Sequence, residues 1–188
     1  MEQTELRVIN ALLKVIGESP VNTKDLSHPD VLSAIGVWEE TSASIQSIGW
    51  WFNVESWELA VETSGEVKLP SNTISIDTDD TNYIKRGNRL YDLETHTYDF
   101  SAEDTVDVDV LSEWSIEDLP ATAYNYILAE AKATMLADFA MDANKLTKLT
   151  TAATVAFHLL QVQNLKFNGP SATSSGAAQT LLQNQPTR

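Results

Sequence analysis

VINALLKVIGESPVNTKDLSHPDVLSAIGVWEETSASIQSIGWWFNVE, residues Val8 to Glu55, reads as helix, loop, helix and the start of an aromatic strand. Leu6, Ile9, Leu12, Leu13 and Ile16 recur at helical spacing, which predicts a first helix over 3–16. Gly17 stands where a left-handed residue ends a helix, and Pro20 blocks continuation. Residues 17–29 form a loop. Ser27 or His28 then lies near the cap of a second helix, with Asp30 at the positive end of its dipole. Val31, Ala34, Ile35, Trp38, Ile45 and Ile48 mark one face of that helix, and Gly49 supplies a second stop. Two helices joined in this way pack as an antiparallel pair. The stretch carries no catalytic chemistry, so its specificity lies in packing.

Beyond it the text becomes β-like. Residues Trp51 to Val61 mix aromatic and β-branched side chains, with Phe52, Val54, Leu59 and Val61 as core candidates. On this reading Trp50 and Trp51 sit on a strand and point to opposite faces. Ser64-Gly65 is a turn signal, and Val67, Leu69, Ile74 and Ile76 flank a Pro70-Ser71-Asn72 turn. Tyr83, Ile84, Leu90 and Tyr91 bracket Arg86-Gly87-Asn88 as a hairpin. Val106, Val108 and Val110 alternate with Asp107 and Asp109, the period of a strand with one buried and one wet face.

Helix returns after Asp118-Leu119-Pro120, since proline is tolerated in a first turn. Tyr124, Ile127, Leu128, Ala131, Met135, Leu136 and Phe139 give the apolar stripe of a helix over 121–141. A fourth helix starts at Asn144 and runs to about Leu165, with Leu146, Leu149, Ala153, Ala156, Phe157, Leu160 and Leu165 as its apolar residues. From Asn168 the chain reads NGPSATSSGAAQTLLQNQPTR, a composition that is flexible on its own. Leu181 and Leu182 are its only large apolar residues and are candidates to anchor in a partner. The expected fold is α+β: a four-helix bundle from 1–49 and 118–167, a small antiparallel β domain inserted at 50–117, and a flexible C-terminal tail at 168–188.

The 188 residues are 43% hydrophobic, enough for a real core. No apolar run reaches the length of a membrane span, and the N-terminus lacks signal-peptide character, so synthesis in the cytoplasm is expected. Cysteine is absent, which excludes disulfides and thiolate chemistry. The formal net charge of −15 argues against binding along nucleic acid and against anionic membranes. Between Leu90 and Glu130 there is no Lys or Arg. That acidic stretch, with Asp107, Asp109 and Glu113, is either a solvated face or a surface that repels polyanions or meets a basic partner.

Chemistry-bearing motifs are missing. His28, His96 and His158 are far apart, with no HExxH and no second histidine at metal spacing. His158 reads as a core or interface residue. No GxSxG, Walker or GxGxxG pattern occurs, so no cofactor is expected. Asp77-Thr78-Asp79-Asp80 lacks the glycine and distal glutamate of a calcium loop and reads as a turn. Asp107 and Asp109, near Trp114, are compatible with carbohydrate acid–base work or with the wet face of a strand. The tryptophans Trp38, Trp50, Trp51, Trp57 and Trp114 suit a core or interface hot spots.

The order of several segments resembles one known family. IGESPV, a helix ending IQSIGWWFN, a strand ending in Leu69-Pro70, YIKRGNRLYD from Tyr83 to Asp92, and Asp118-Leu119-Pro120 before a long helix are similar to the tail tubular protein A family of short-tailed bacteriophages. The resemblance covers about residues 5 to 165. It implies a non-enzymatic head-to-tail adaptor, or gatekeeper, located in the virion tail and assembled in the host cytoplasm. About twelve copies would form a ring beneath the portal, a closed symmetric homo-oligomer. The bundle would face the portal and the β domain the tail nozzle, tail tubular protein B. DNA would pass through the ring without specific binding. Trp50, Trp51 and Phe52 would be the joint between bundle and β domain, Leu181 and Leu182 a portal-contact tail, and Asp107, Asp109 and Glu113 a lumen or partner surface. The alternative function is a carbohydrate-binding or carbohydrate-active tail component.

Overall fold

The computed structural model describes residues 2–79, 82–139 and 142–168. Its elements run α1 (Glu2–Ile16), α2 (Pro29–Gln46), β1 (Val54–Ala60), β2 (Thr73–Asp77), β3 (Tyr83–Arg86), β4 (Arg89–Asp92), β5 (Thr105–Ser112), α3 (Ala121–Asp138) and α4 (Ala143–Phe167). The fold is α+β. The chain divides into two compact units, one made by residues up to 45 together with those from 115 on, the other by residues 46–114.

The helical unit is organised by α1. Val8, Ile9, Leu12, Leu13 and Ile16 share one buried cluster with Val31 and Ala34 of α2 and Ala131 and Met135 of α3. Each large apolar side chain removed from water there contributes about 1.5–3 kcal/mol relative to exposure. Gly17, at φ 89°, ends α1. Its N–H reaches Lys14 O while the Glu18 N–H reaches Leu13 O, the paired bonds of a Schellman cap. The following loop is held by Asn10, whose side chain donates to Val21 O at 2.9 Å and accepts the Val21 N–H at 2.8 Å. Trp38 of α2 meets Tyr124 of α3 with ring centroids 5.9 Å apart.

Pro120 is the N-cap of α3, one place before the first turn. Ala123, Ile127 and Ala131 form a buried row at four-residue spacing. The two alanines narrow α3 on that side, and α4 packs along α3. Asp142 caps α4 by accepting the Asn144 and Lys145 N–H groups, so the helix begins at Ala143. Thr147, Thr150, Thr151 and Thr154 each donate to a carbonyl one turn back, which satisfies the hydroxyls within the helix itself.

In the β unit, β1, β5 and β2 form an antiparallel sheet in that order, and β3–β4 form a separate hairpin. Val106, Val108 and Val110 of β5 are buried with Val67, Leu90 and Phe100. The hairpin turn is Gly87-Asn88, between paired Arg86 and Arg89. Gly87 has φ 61° and Asn88 is not left-handed, the pattern of a II′ turn whose twist matches its strands.

Three expectations need correction. Trp50, Trp51 and Phe52 are not on a strand: residues 51–53 turn, and β1 starts at Val54. The cause is Asn53, whose Oδ1 accepts the Trp50 N–H at 2.8 Å and whose own N–H returns to Trp50 O. Trp50 is buried, while Trp51 and Phe52 are half-buried and meet edge to face. Ile48 lies past the end of α2 and is exposed. Val67 takes part only in an isolated bridge to Val61, outside any strand. Leu181 and Leu182, and the tail from residue 169 on, lie outside the described residues. No helix among the described residues is long and apolar enough to cross a membrane.

Candidate assembly surfaces

The chain enters the β unit at Gln46 and leaves it at Trp114. These two ends are tied side by side. The Gln46 side chain donates to Trp114 O at 3.1 Å and accepts the Trp114 N–H at 2.8 Å. Asn53 completes the tie by donating to Gln46 O at 2.8 Å and to Ser112 O at 3.0 Å. Gln46 and Asn53 are both fully buried. A buried amide that meets its hydrogen-bonding needs fixes one geometry, and removing it takes a partner from several buried backbone groups. These are the two amide residues of the IQSIGWWFN segment. Reading that segment for its tryptophans passed over them; the signal was two amides seven residues apart in a mostly apolar run.

The sheet has one core face and one open face. Directly paired residues share a face, so Glu58 and Asp107 stand side by side, as do Asp77 and Asp109. The open face also carries Ser56, Ser75 and Val54, and the three strands contain no Lys or Arg. The carboxylates are met by hydroxyls: Ser56 Oγ donates to Asp109 and Thr105 Oγ1 donates to Glu58. Like charges directly opposite each other oppose pairing by a few tenths of a kcal/mol up to about 1 kcal/mol. Asp107 and Asp109 are thus brought together with Glu58, which sequence reading did not single out, and with Asp77, which it read as part of a turn and which ends β2. Glu113 lies beyond the end of β5 and is tied through its backbone to Asn72.

The β3–β4 hairpin is stiffened by stacked rings and guanidinium groups. Arg86 lies 3.8 Å over the Tyr91 ring and Arg89 lies 4.3 Å over Tyr98, with Tyr91 and Tyr98 in edge contact at 4.8 Å. Arg89 also pairs with Glu66. A shallow depression of about 580 Å³ between β2 and this hairpin is lined by Ile74, Ile76, Tyr83, Ile84 and Lys85. Lys85 is spent on the Thr73 and Ile74 carbonyls. Neither Asp107 nor Asp109 lines the depression; both stand on the open sheet. Among the described residues no group of three or more His, Asp or Glu gathers as a metal site.

In the helical unit α4 stands apart. Only Ala153 and Leu160 of its 25 residues are buried. Phe157 is half-buried and meets Tyr126 at 5.2 Å, and burial, helped by Glu130, raises the Tyr126 phenol above its ordinary pKa. Val155, Leu159, Val162 and Leu165 are between 50% and 70% exposed. Leu165, one of the apolar residues read for this helix, faces water. His158 is exposed and sits by Gln161.

A family model described as tail tubular protein matches residues 6–165. The tail tubular protein A of Klebsiella phage KP34 is 30% identical over 125 residues, a stretch covering 65% of this chain and 66% of that protein. The family match runs from the first turns of α1 to the last turn of α4 and takes in both units. The clasp of Gln46 and Asn53 on Ser112 and Trp114, the acidic sheet face and the uncovered helix therefore lie within a chain that belongs to the tail tubular protein family, structural proteins of the bacteriophage tail.

Proposed function

We propose that this chain is the adaptor of a short phage tail: about twelve copies close into a ring that joins the portal to the tail nozzle. The helical unit takes the portal side and the β unit the nozzle side, and DNA passes through the ring without being held. Trp50, Trp51 and Phe52, where the chain enters the β unit, act as the joint. Leu181 and Leu182 anchor the C-terminal tail on the portal.

The observation that carries this reading is the row of exposed apolar side chains on α4, in a chain of a tail structural family. Contiguous apolar surface on a soluble subunit marks a place where something docks. The charge supports the reading too. A subunit of net charge −15 presents a wall that repels DNA phosphates instead of retaining them. The open sheet face bearing Asp107 and Asp109 serves either as such a wall or as the contact for a basic nozzle surface.

The test is electron microscopy of the full chain assembled with its portal and nozzle proteins. The reading expects a ring of about a dozen copies seated between the two. Single copies scattered on the portal, or no association with it, would sink it. Deleting 168–188 is expected to weaken portal attachment; unchanged attachment removes the tail from the account.

A further inference from the structure

The exposed side of α4 has a pattern of its own. Lys148, Ala152, Val155, Leu159, Val162 and Lys166 follow each other at alternating spacings of four and three residues, and all are exposed. This is the repeat of a coiled-coil seam. At about 100° per residue its centre lies roughly 120–140° around the helix from Ala153 and Leu160, the residues by which α4 holds to its own unit. The seam therefore points away from the fold that positions it. It is apolar in the middle and carries a lysine at each end. Across its whole length α4 has no Asp or Glu, although the chain has 27.

A second pattern matches it. On α2, Leu32, Gly36, Glu39 and Ala43 follow the same four-three-four spacing, with Glu40 beside them. Leu32 is 48% exposed, and Glu39 and Glu40 are exposed. Gly36 is helical, and a Cβ placed there meets nothing within 4 Å. A mid-helix glycine costs about 1 kcal/mol relative to alanine, and inside its own unit nothing uses the missing side chain. A helix arriving from outside would use it for close approach. α4 packs along α3, whereas α2 shares the core of α1 and α3, so the two seams are separate faces of one unit.

Resting on the ring reading above, we infer that the outer seam of α4 packs against the outer face of α2 in the next copy of this chain. Pairing α4 with a second α4 brings lysine ends together with no acid to meet them. Pairing it with α2 sets a lysine end of the seam against Glu39 and Glu40: with Lys166 there, Val162 and Leu159 lie over Gly36 and Leu32, and with Lys148 there, Ala152 and Val155 do. The contact joins two different faces, so it is head-to-tail. A contact of that kind closes into a ring when the rotation allows.

The chain has no cysteine, which makes the test direct. Leu32→Cys is combined in turn with Val155→Cys and Leu159→Cys in the full chain, assembled with portal and nozzle proteins, and oxidised. At least one pair is expected to give a ladder of disulfide-linked multimers on a non-reducing gel, while each single variant gives none. Rings visible by microscopy with no ladder from any pair overturn the inference and leave the ring reading standing. A cross-link from α4 to the portal overturns it as well and assigns the seam to that partner. Absence of rings removes both readings. As a second measure, Lys148→Glu with Lys166→Glu is expected to lower ring yield about tenfold or more, and adding Glu39→Lys with Glu40→Lys to restore it. Loss without restoration contradicts the pairing.

Discussion

α1 and α4 are both helices with many aliphatic residues, and they use them in opposite ways. α1 is 15 residues long and buries Val8, Ile9, Leu12, Leu13, Val15 and Ile16. α4 is 25 residues long and buries only Ala153 and Leu160, while Val155, Leu159 and Val162 face water. Apolar residues on α1 make the fold. Those on the outer side of α4 add little to it and remain available for a partner. The difference shows that hydrophobicity along a helix does not say where the covering surface comes from.

The contrast breaks most visibly at Leu12, which has no exposed surface. Leu12→Ala is expected to cost about 2–5 kcal/mol in denaturant unfolding of the full chain, through lost burial and the cavity left behind. A cost below about 0.5 kcal/mol would place α1 outside the core. The next effect concerns the clasp. Asn53→Ala removes the side-chain acceptor of the Trp50 N–H and the amide donor to the Gln46 and Ser112 carbonyls. About 1–3 kcal/mol is expected, seen as earlier hydrogen exchange across β1 and β5. Unchanged protection there would show that the amide is dispensable.

The smallest effect has the opposite sign. Asp107→Asn removes the like-charge contact with Glu58 and is expected to raise the melting midpoint by roughly 1–3 °C at low salt. The gain should fade in about 1 M salt, where charges are screened within about 3 Å. A lower midpoint, or a gain indifferent to salt, would mean that the open sheet face holds no electrostatic strain.

Much of this fold is legible in the residues. The helical repeat of α1 and its Gly17 stop, the alternation of β5 and the Gly87-Asn88 hairpin all follow from short-range rules, because each is decided by a few neighbouring positions. The turn at residues 51–53 was hidden because Asn53, not the aromatic residues, sets the backbone there, and its partners lie at Gln46 and Ser112. The acidic face became legible only with the strand register, which places Glu58 beside Asp107 and Asp77 beside Asp109. Of the α4 residues read as apolar, Leu146, Leu149, Ala153, Ala156, Phe157 and Leu160 are buried or half-buried and Leu165 is exposed, while the outer row of Val155, Leu159 and Val162 was passed over. Two apolar faces share that helix, one around Leu160 and one around Leu159, and a pattern of apolar residues alone does not say which is buried. Asp142, the cap of α4, was readable as an acid two places before the expected start at Asn144.

The separation of folding from assembly is tested most directly by Leu159→Gln combined with Val162→Gln, which keeps helix propensity while removing the outer apolar face. Unfolding of the isolated chain and its incorporation into assembled tails are measured together. The account predicts stability unchanged within about 0.5 kcal/mol and incorporation reduced about tenfold or more. Normal incorporation would contradict it, and so would a loss of stability as large as that of Leu12→Ala.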